Sequence, residues 1–277
     1  MAMLFFLLFL VAWCPSYAAT NIQWKEIQPG LLVAEIYDPV YNRIGSPNTL
    51  VLKIDTVRYR FEAFQFAAHS LERPLSVEEW SKKTGAPVVF NAGQYYENYR
   101  HMGLLVKNGS NLGTRLIAQW KGLFVENPSQ GNSAPVSLLD LEFDQADTSG
   151  GAYSFAVQSL MLFDREGSKR IRKSDWVANR TIVAMDWGNT AYVFCTEGGY
   201  TLWELAGFIR ELGLGLKHAM TLDGGYQSQL AINTPSLTHA MYGKWAIQGG
   251  ISLIPMPGFK TKLPAVIAVF PRRKMEP

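Results

Sequence analysis

The chain is poor in cysteine. Its 277 residues hold two, Cys14 and Cys195. Cys14 lies in an apolar leader, so the folded part keeps one thiol and has no internal disulfide; a packed core must supply its stability. Cys195, at the end of Ala191-Tyr192-Val193-Phe194-Cys195, reads as a small core hydrophobe and not as a nucleophile. Charge is also sparse, at 18% of residues against 48% hydrophobic, with a formal balance of +3. The absence of any Lys/Arg run argues against nucleic-acid binding. The apolar run Leu4–Trp13 is too short to span a bilayer, and no second run approaches spanning length. There is no Gly-x-Ser-x-Gly elbow, no glycine loop ending in Lys-Ser/Thr and no His-Glu-x-x-His. Four histidines, His69, His101, His218 and His239, are too scattered for a zinc site. Only His101 stands beside other candidate residues.

The leader has the form of an export signal. Leu4–Trp13 is followed by Pro15-Ser16-Tyr17-Ala18, which supplies a breaker and small residues before a cleavage point after Ala18. Residues 1–18 are therefore read as a signal peptide, and the product as periplasmic or secreted, with no transmembrane span left after cleavage. A lipid anchor on Cys14 is the lesser alternative, because the bulky Trp13 precedes it.

From there to about residue 272 one domain is expected, spanning 20–272. Val57-Arg58-Tyr59-Arg60-Phe61-Glu62-Ala63 alternates apolar and charged residues, as a half-buried strand does. Arg180–Asp186 and Tyr192–Cys195 read as a hairpin closed at Trp187-Gly188-Asn189, and Leu116–Val125 as another strand. Ser76-Val77-Glu78-Glu79 and Thr201-Leu202-Trp203-Glu204 are capping boxes that open helices. Asn127–Ala134 and Asp144–Gly151 are loops on composition. Many strands, two helices and no βαβ alternation predict an α+β fold of mixed β-sheets with a few packed helices, in a single domain.

Chemistry concentrates at strand ends. In Ala219-Met220-Thr221-Leu222-Asp223-Gly224-Gly225-Tyr226-Gln227-Ser228 an apolar approach runs into a carboxylate and two glycines. Two readings fit: an Asp-Gly hairpin turn, or a loop holding a working carboxylate against a ligand. Asn91, Glu97, Arg180, Asp186 and Glu197 also follow or open apolar runs, with Tyr95, Tyr96, Trp187, Tyr200 and Tyr226 nearby. Carboxylates supply acid/base catalysis, and Arg and Asn hold oxyanions or hydroxyls. Singly, each is equally an ordinary turn or surface residue.

Several ordered motifs resemble the phosphodiester glycosidase family. They are Val89-Phe90-Asn91-Ala92-Gly93, Gly103-Leu104-Leu105-Val106-Lys107-Asn108-Gly109, Asn179-Arg180-Thr181-Ile182-Val183-Ala184, Glu197-Gly198, Thr201–Ala206, Leu222-Asp223-Gly224-Gly225 and Leu263-Pro264-Ala265-Val266-Ile267. The resemblance covers roughly residues 87 to 270. The chain departs from the family pattern at Gln94, Gly199 and Met185-Asp186, and at Tyr226 and Gln227 with Ser228 one step later.

The resemblance implies an exported hydrolase cleaving a sugar-1-phosphodiester in an envelope or extracellular glycan, with a carbohydrate phosphodiester as substrate. Asp223, Glu197 and Arg180 are the implied catalytic residues. Asn91, Gly93, Tyr95, Tyr96, Glu97, Asp186, Gly224, Gly225, Tyr226 and Ser228 are expected to bind substrate. No cofactor or metal is expected. A non-catalytic glycan-binding envelope protein is the second reading. The third is a phosphodiesterase with Ca²⁺ or Mg²⁺ between Asp223 and Asp186, since carboxylates suit hard cations.

Overall fold

The computed structural model describes residues 22–126, 135–149, 151–249, 251–252 and 260–272. The signal-peptide reading and the 127–134 loop lie outside the described residues.

Strands dominate. Among the described residues eleven form one sheet and five a second, and a small three-stranded ribbon joins Val177–Ala178, Ala246–Gln248 and Ile251–Ser252. Among the described residues every strand pairing is antiparallel. Alternation along each strand decides how the sheets stack. Val183, Val193, Cys195 and Met220 of the larger sheet face Phe61, Phe90, Leu230 and Ile267 of the smaller, and together they form the main core. Their sequence neighbours Ile182, Ala184 and Phe194 point the other way, onto Leu205, Ala206 and Ile209 of the helix Leu202–Glu211. On the outer face of the smaller sheet, Val89, Val266 and Ala268 meet Val77 and Trp80 of the helix Val77–Thr84. The order is helix, sheet, sheet, helix.

The expected balance of helix and strand is therefore corrected. The fold is predominantly β, 44% strand against 10% helical, and its sheets are not mixed. Both helix starts were legible from their caps, but the helices are only 8 and 10 residues long. They cover sheet faces and build no layer of their own. Ser76 and Glu79 close a full capping box. At Thr201 one arm forms, while the Glu204 carboxylate takes the Arg43 guanidinium. The predicted strand from Leu116 begins only at Gly122. Before it, the backbone of Ile117 and Trp120 bonds to the buried Gln158 side chain and not to a neighbouring strand. The hairpin Thr181–Asp186 with Ala191–Thr196 is present in register.

Candidate active site

Leu216–Thr221 belongs to the larger sheet, whereas Gln229–Thr234 belongs to the smaller. Leu222–Ser228 is thus the crossover between sheets, and the hairpin-turn reading of Asp223-Gly224 is set aside. Both glycines are required. Gly225 holds φ +67° as the chain tightens into a 3₁₀ turn. At Gly224 an added Cβ would lie 2.9 Å from the Asn179 carbonyl and 3.0 Å from Arg180 Nη1. The backbone passes directly over the guanidinium.

Asn91 ends the strand Val88–Asn91 and pins the crossover. Its Nδ2 donates to the carbonyls of Asp223 at 2.9 Å and Ala92 at 3.1 Å. Its Oδ1 accepts from Thr181 Oγ1 at 2.7 Å and from Gln229 N at 3.1 Å. Two carbonyls and one N–H leave a single orientation for this amide, and it spends its two donors and two lone pairs. Because the Thr181 proton goes to Asn91, Thr181 accepts from Ser228 Oγ at 2.8 Å. Cys195 Sγ in turn donates to Ser228 at 3.7 Å. This buried chain ties both sheets to the crossover.

Arg180 stands just ahead of the strand Thr181–Asp186 and is 4% exposed. Its Nε donates to the Tyr200 carbonyl at 3.2 Å and its Nη2 to the Trp176 carbonyl at 2.8 Å. The Trp176 ring lies 5.4 Å from the guanidinium carbon. Among the described residues Nη1 has no hydrogen bond. Burial lowers the Arg180 pKa to about 10, while Asp223 pulls it back up, so the group stays cationic at neutral pH. Asp223 keeps partial access to solvent, and its Oδ1 accepts from Gly224 N at 2.9 Å. Burial pushes its carboxyl up to about 7, against the opposing pull of that N–H and of Arg180. The two charges sense each other without forming a contact ion pair among the described residues. Tyr95 completes the group. Its phenol accepts from Gln227 Nε2 at 3.3 Å, and burial, with Asp223 nearby, raises its pKa.

A buried cation with no matched anion is costly and is found where charge is put to use. A carboxyl titrating near neutrality is suited to move protons. Residues 84–254 match the sequence profile of the phosphodiester glycosidases. The chain belongs to that family. Two solved structures share its fold. One is described as a hypothetical protein from Synechocystis, at TM-score 0.62 and 12% identity, with 92% of this chain aligned to 64% of that one. The other is the catalytic domain of zebrafish N-acetylglucosamine-1-phosphodiester alpha-N-acetylglucosaminidase, at TM-score 0.58 and 12% identity, covering 94% of this chain and 86% of that one. At such identities the likeness is one of fold. No curated protein matches the chain in sequence.

The other residues expected at the site are distributed unevenly. Gly93 is buried against His101, where an added Cβ would sit 2.8 Å from Nε2. Among the described residues that nitrogen has no partner, and burial holds the imidazole neutral by lowering its pKa to about 4. Tyr226 belongs to the crossover, and its phenolic oxygen is buried without a partner. Ser228 is 1% exposed and committed to Thr181. Tyr96 and Glu97 are exposed, with no hydrogen bond to Asp223 among the described residues. Asp186 lies at the far end of its strand, where Thr190 N and Tyr192 Oη donate to its carboxylate at 2.8 and 3.1 Å. Asp186 and Asp223 share no cation site, and no cluster of three or more His, Cys, Asp or Glu exists among the described residues. Glu197 lines a separate cleft with His239, Tyr242 and Lys244. Asn179 was overlooked as a hub. Its Nδ2 donates to the Thr196 and Glu197 carbonyls, and its Oδ1 accepts from Lys244 N and Trp245 N. An Asn directly before the Arg at a strand start was the available signal. Gln227, read as a departure from the family pattern, holds Tyr95.

Proposed function

We propose that the protein is an exported hydrolase that cleaves the bond between a sugar C1 and the oxygen of a phosphodiester in an envelope or extracellular glycan. Export rests on the apolar run Leu4–Trp13 and the small residues that follow it. Asp223 takes a proton from water as the water oxygen bonds to C1. The C1–O bond breaks, its electron pair stays with the phosphate, and the aglycone leaves as a phosphomonoester. The phosphate's charge grows from one to two in this step, and Arg180 Nη1 meets it. Such a leaving group needs no strong acid, so one carboxylate and one cation are enough. This removes the need for Glu197 at the reacting centre.

The observation that carries the reading is a buried arginine beneath the Asp223 crossover, with no ion pair among the described residues and Nη1 left free while Nε and Nη2 are spent on carbonyls. Asn91 supports the crossover and does not bind sugar, since its hydrogen-bonding capacity is spent. Purified protein and its Asp223→Asn variant, assayed on α- and β-linked sugar-1-phosphate methyl diesters, test the proposal. Turnover by the parent and its loss in the variant are expected. Turnover unchanged by the substitution, or none by the parent on either anomer, removes the proposal.

A further inference from the structure

The cleft that holds Glu197 is a feature the reaction does not use. It encloses about 320 Å³ between the turn at Gly45-Ser46, the edge strand Leu237–Tyr242 and the loop at Lys244-Trp245. That volume lies at the lower end for small-ligand sites, about 300–1,000 Å³. Its lining combines the Trp245 indole with charged groups that lack side-chain partners among the described residues. Among the described residues, neither the Glu197 carboxylate nor the Lys244 ammonium forms a side-chain hydrogen bond or ion pair. His239 Nε2 has no partner among the described residues but is closed to solvent. Charged side chains left unpaired at a cleft are handles for a ligand. Trp245 is partly exposed, and the Nε1 edge of its indole is seated where a Cβ on Gly45 would be. Tyr242 is fixed by its hydroxyl, which donates to Glu78 at 2.6 Å.

The cleft shares a wall with the Asp223 crossover. Asn179 donates to the Glu197 carbonyl at 3.0 Å and accepts from Lys244 N and Trp245 N at 2.6 and 2.7 Å. Its own backbone carbonyl accepts from Gly225 N at 2.9 Å. Arg180 is the next residue.

We infer that this cleft is a second saccharide subsite, binding a neutral sugar unit next to the one whose C1 reacts. Trp245 presents its ring to the C–H face of the sugar, Glu197 accepts from its hydroxyls, and Lys244 supplies a donor. The inference rests on the hydrolase reading for its place in catalysis, but the binding itself involves no phosphodiester. The substrate is then a glycan of at least two units and not a lone sugar phosphate.

The full chain carrying Asp223→Asn is titrated by calorimetry with maltose, cellobiose, N,N′-diacetylchitobiose and mannobiose. At least one should bind with Kd in the range of about 1 mM, and about tenfold more weakly to Trp245→Ala or to the milder Glu197→Gln. Absence of binding by all four, or binding unchanged in both variants, overturns the inference. With Asp223 intact, Glu197→Gln should keep kcat on a methyl diester and raise KM only for the diester bearing the bound disaccharide. A collapse of kcat on the methyl diester would move Glu197 into the reaction and overturn the inference. No turnover of any diester, with disaccharide binding retained, would end the hydrolase reading and leave the subsite standing.

Discussion

The strands Thr181–Asp186 and Leu216–Thr221 run side by side, and each end of the pair carries an aspartate. At one end Asp186 closes a turn within the larger sheet. Its carboxylate accepts from the Thr190 N–H and the Tyr192 hydroxyl. At the other end Asp223 begins the passage to the smaller sheet. It receives one N–H, from Gly224, and faces an arginine it does not touch. Five residue rises of about 3.4 Å put some 17 Å between the two ends. Both aspartates follow an apolar strand and precede glycine within two residues. They differ in whether the chain around them has a use for the charge. A turn inside a sheet supplies its own donors, but a crossover between sheets opens a gap that local backbone cannot fill.

Substituting each aspartate is the strongest way to break this contrast. Asp223→Asn should reduce kcat/KM on a sugar-1-phosphodiester by about 10³-fold or more, within the range for a lost proton acceptor and its electrostatics. Asp186→Asn should leave activity within about threefold and cost about 1 kcal/mol of stability from weakened turn bonds. Similar losses of activity in both variants would erase the distinction. Steady-state kinetics paired with thermal melts decide it.

The cation at the working end comes next. Arg180→Met should lower kcat by about 10²-fold, as removal of one charge-stabilising donor does. The pH profile adds a second readout. In the parent, kcat/KM should rise through about 7 as Asp223 loses its proton and fall through about 10 as Arg180 does. Because Arg180 lowers the Asp223 pKa, the ascending limb of the variant should move to higher pH and the descending limb should vanish. Stability tests the same group independently. The Asp223 carboxyl is raised on folding, so its ionisation penalises the native state increasingly from pH 4 to 7 and at a constant level above. Asp223→Asn should therefore stabilise the protein at pH 8 relative to pH 4, by on the order of 3 kcal/mol. Denaturant melts at the two pH values measure the difference.

Asn91 separates support from chemistry. Asn91→Ala leaves the Thr181 hydroxyl proton, Gln229 N and the Asp223 carbonyl without their Asn91 partner in a buried setting, at a cost of about 3 kcal/mol. Where the variant folds, it should lose activity through displacement of the crossover, with the pH limbs unmoved. An unchanged melt would show that the clamp is not structural.

Much of this was legible in the sequence. Apolar runs on either side of Trp187-Gly188-Asn189 located the hairpin of Arg180–Asp186 with Tyr192–Cys195, the caps at Ser76 and Thr201 located both helices, and apolar runs next to polar residues picked out Asn91, Arg180 and Asp223. Three things were not. Alternation shows that Val183 and Ile182 face opposite ways, but not that both faces are covered by strand and helix in turn, so helix was given too much weight. A polar residue at a strand end does not reveal which end of the sheet it occupies, and this is how Asp186 came to be grouped with Asp223. A hydrogen-bonding side chain does not announce whether its capacity is spent inside. Asn91 and Ser228 look like ligand contacts in sequence, yet their hydrogen bonds all go to protein. Glu197 sits next to the right strand, but its carboxylate turns into the neighbouring cleft.

Tyr95 gives the smallest and sharpest test of the comparison. Its hydroxyl touches Gln227 at 3.3 Å, a long and weak bond, while burial and Asp223 raise its pKa. The phenol thus stays protonated across the working pH range and can donate to a substrate oxygen while still accepting from Gln227. Tyr95→Phe removes that donor and keeps the ring, so a bond made mainly to the ground state should raise KM by about tenfold with kcat nearly constant. A drop in kcat at constant KM would instead assign the phenol to the transition state alongside Asp223. The matching change at the other end, Tyr192→Phe, removes the donor to Asp186 and should move neither constant, because that carboxylate serves only its turn.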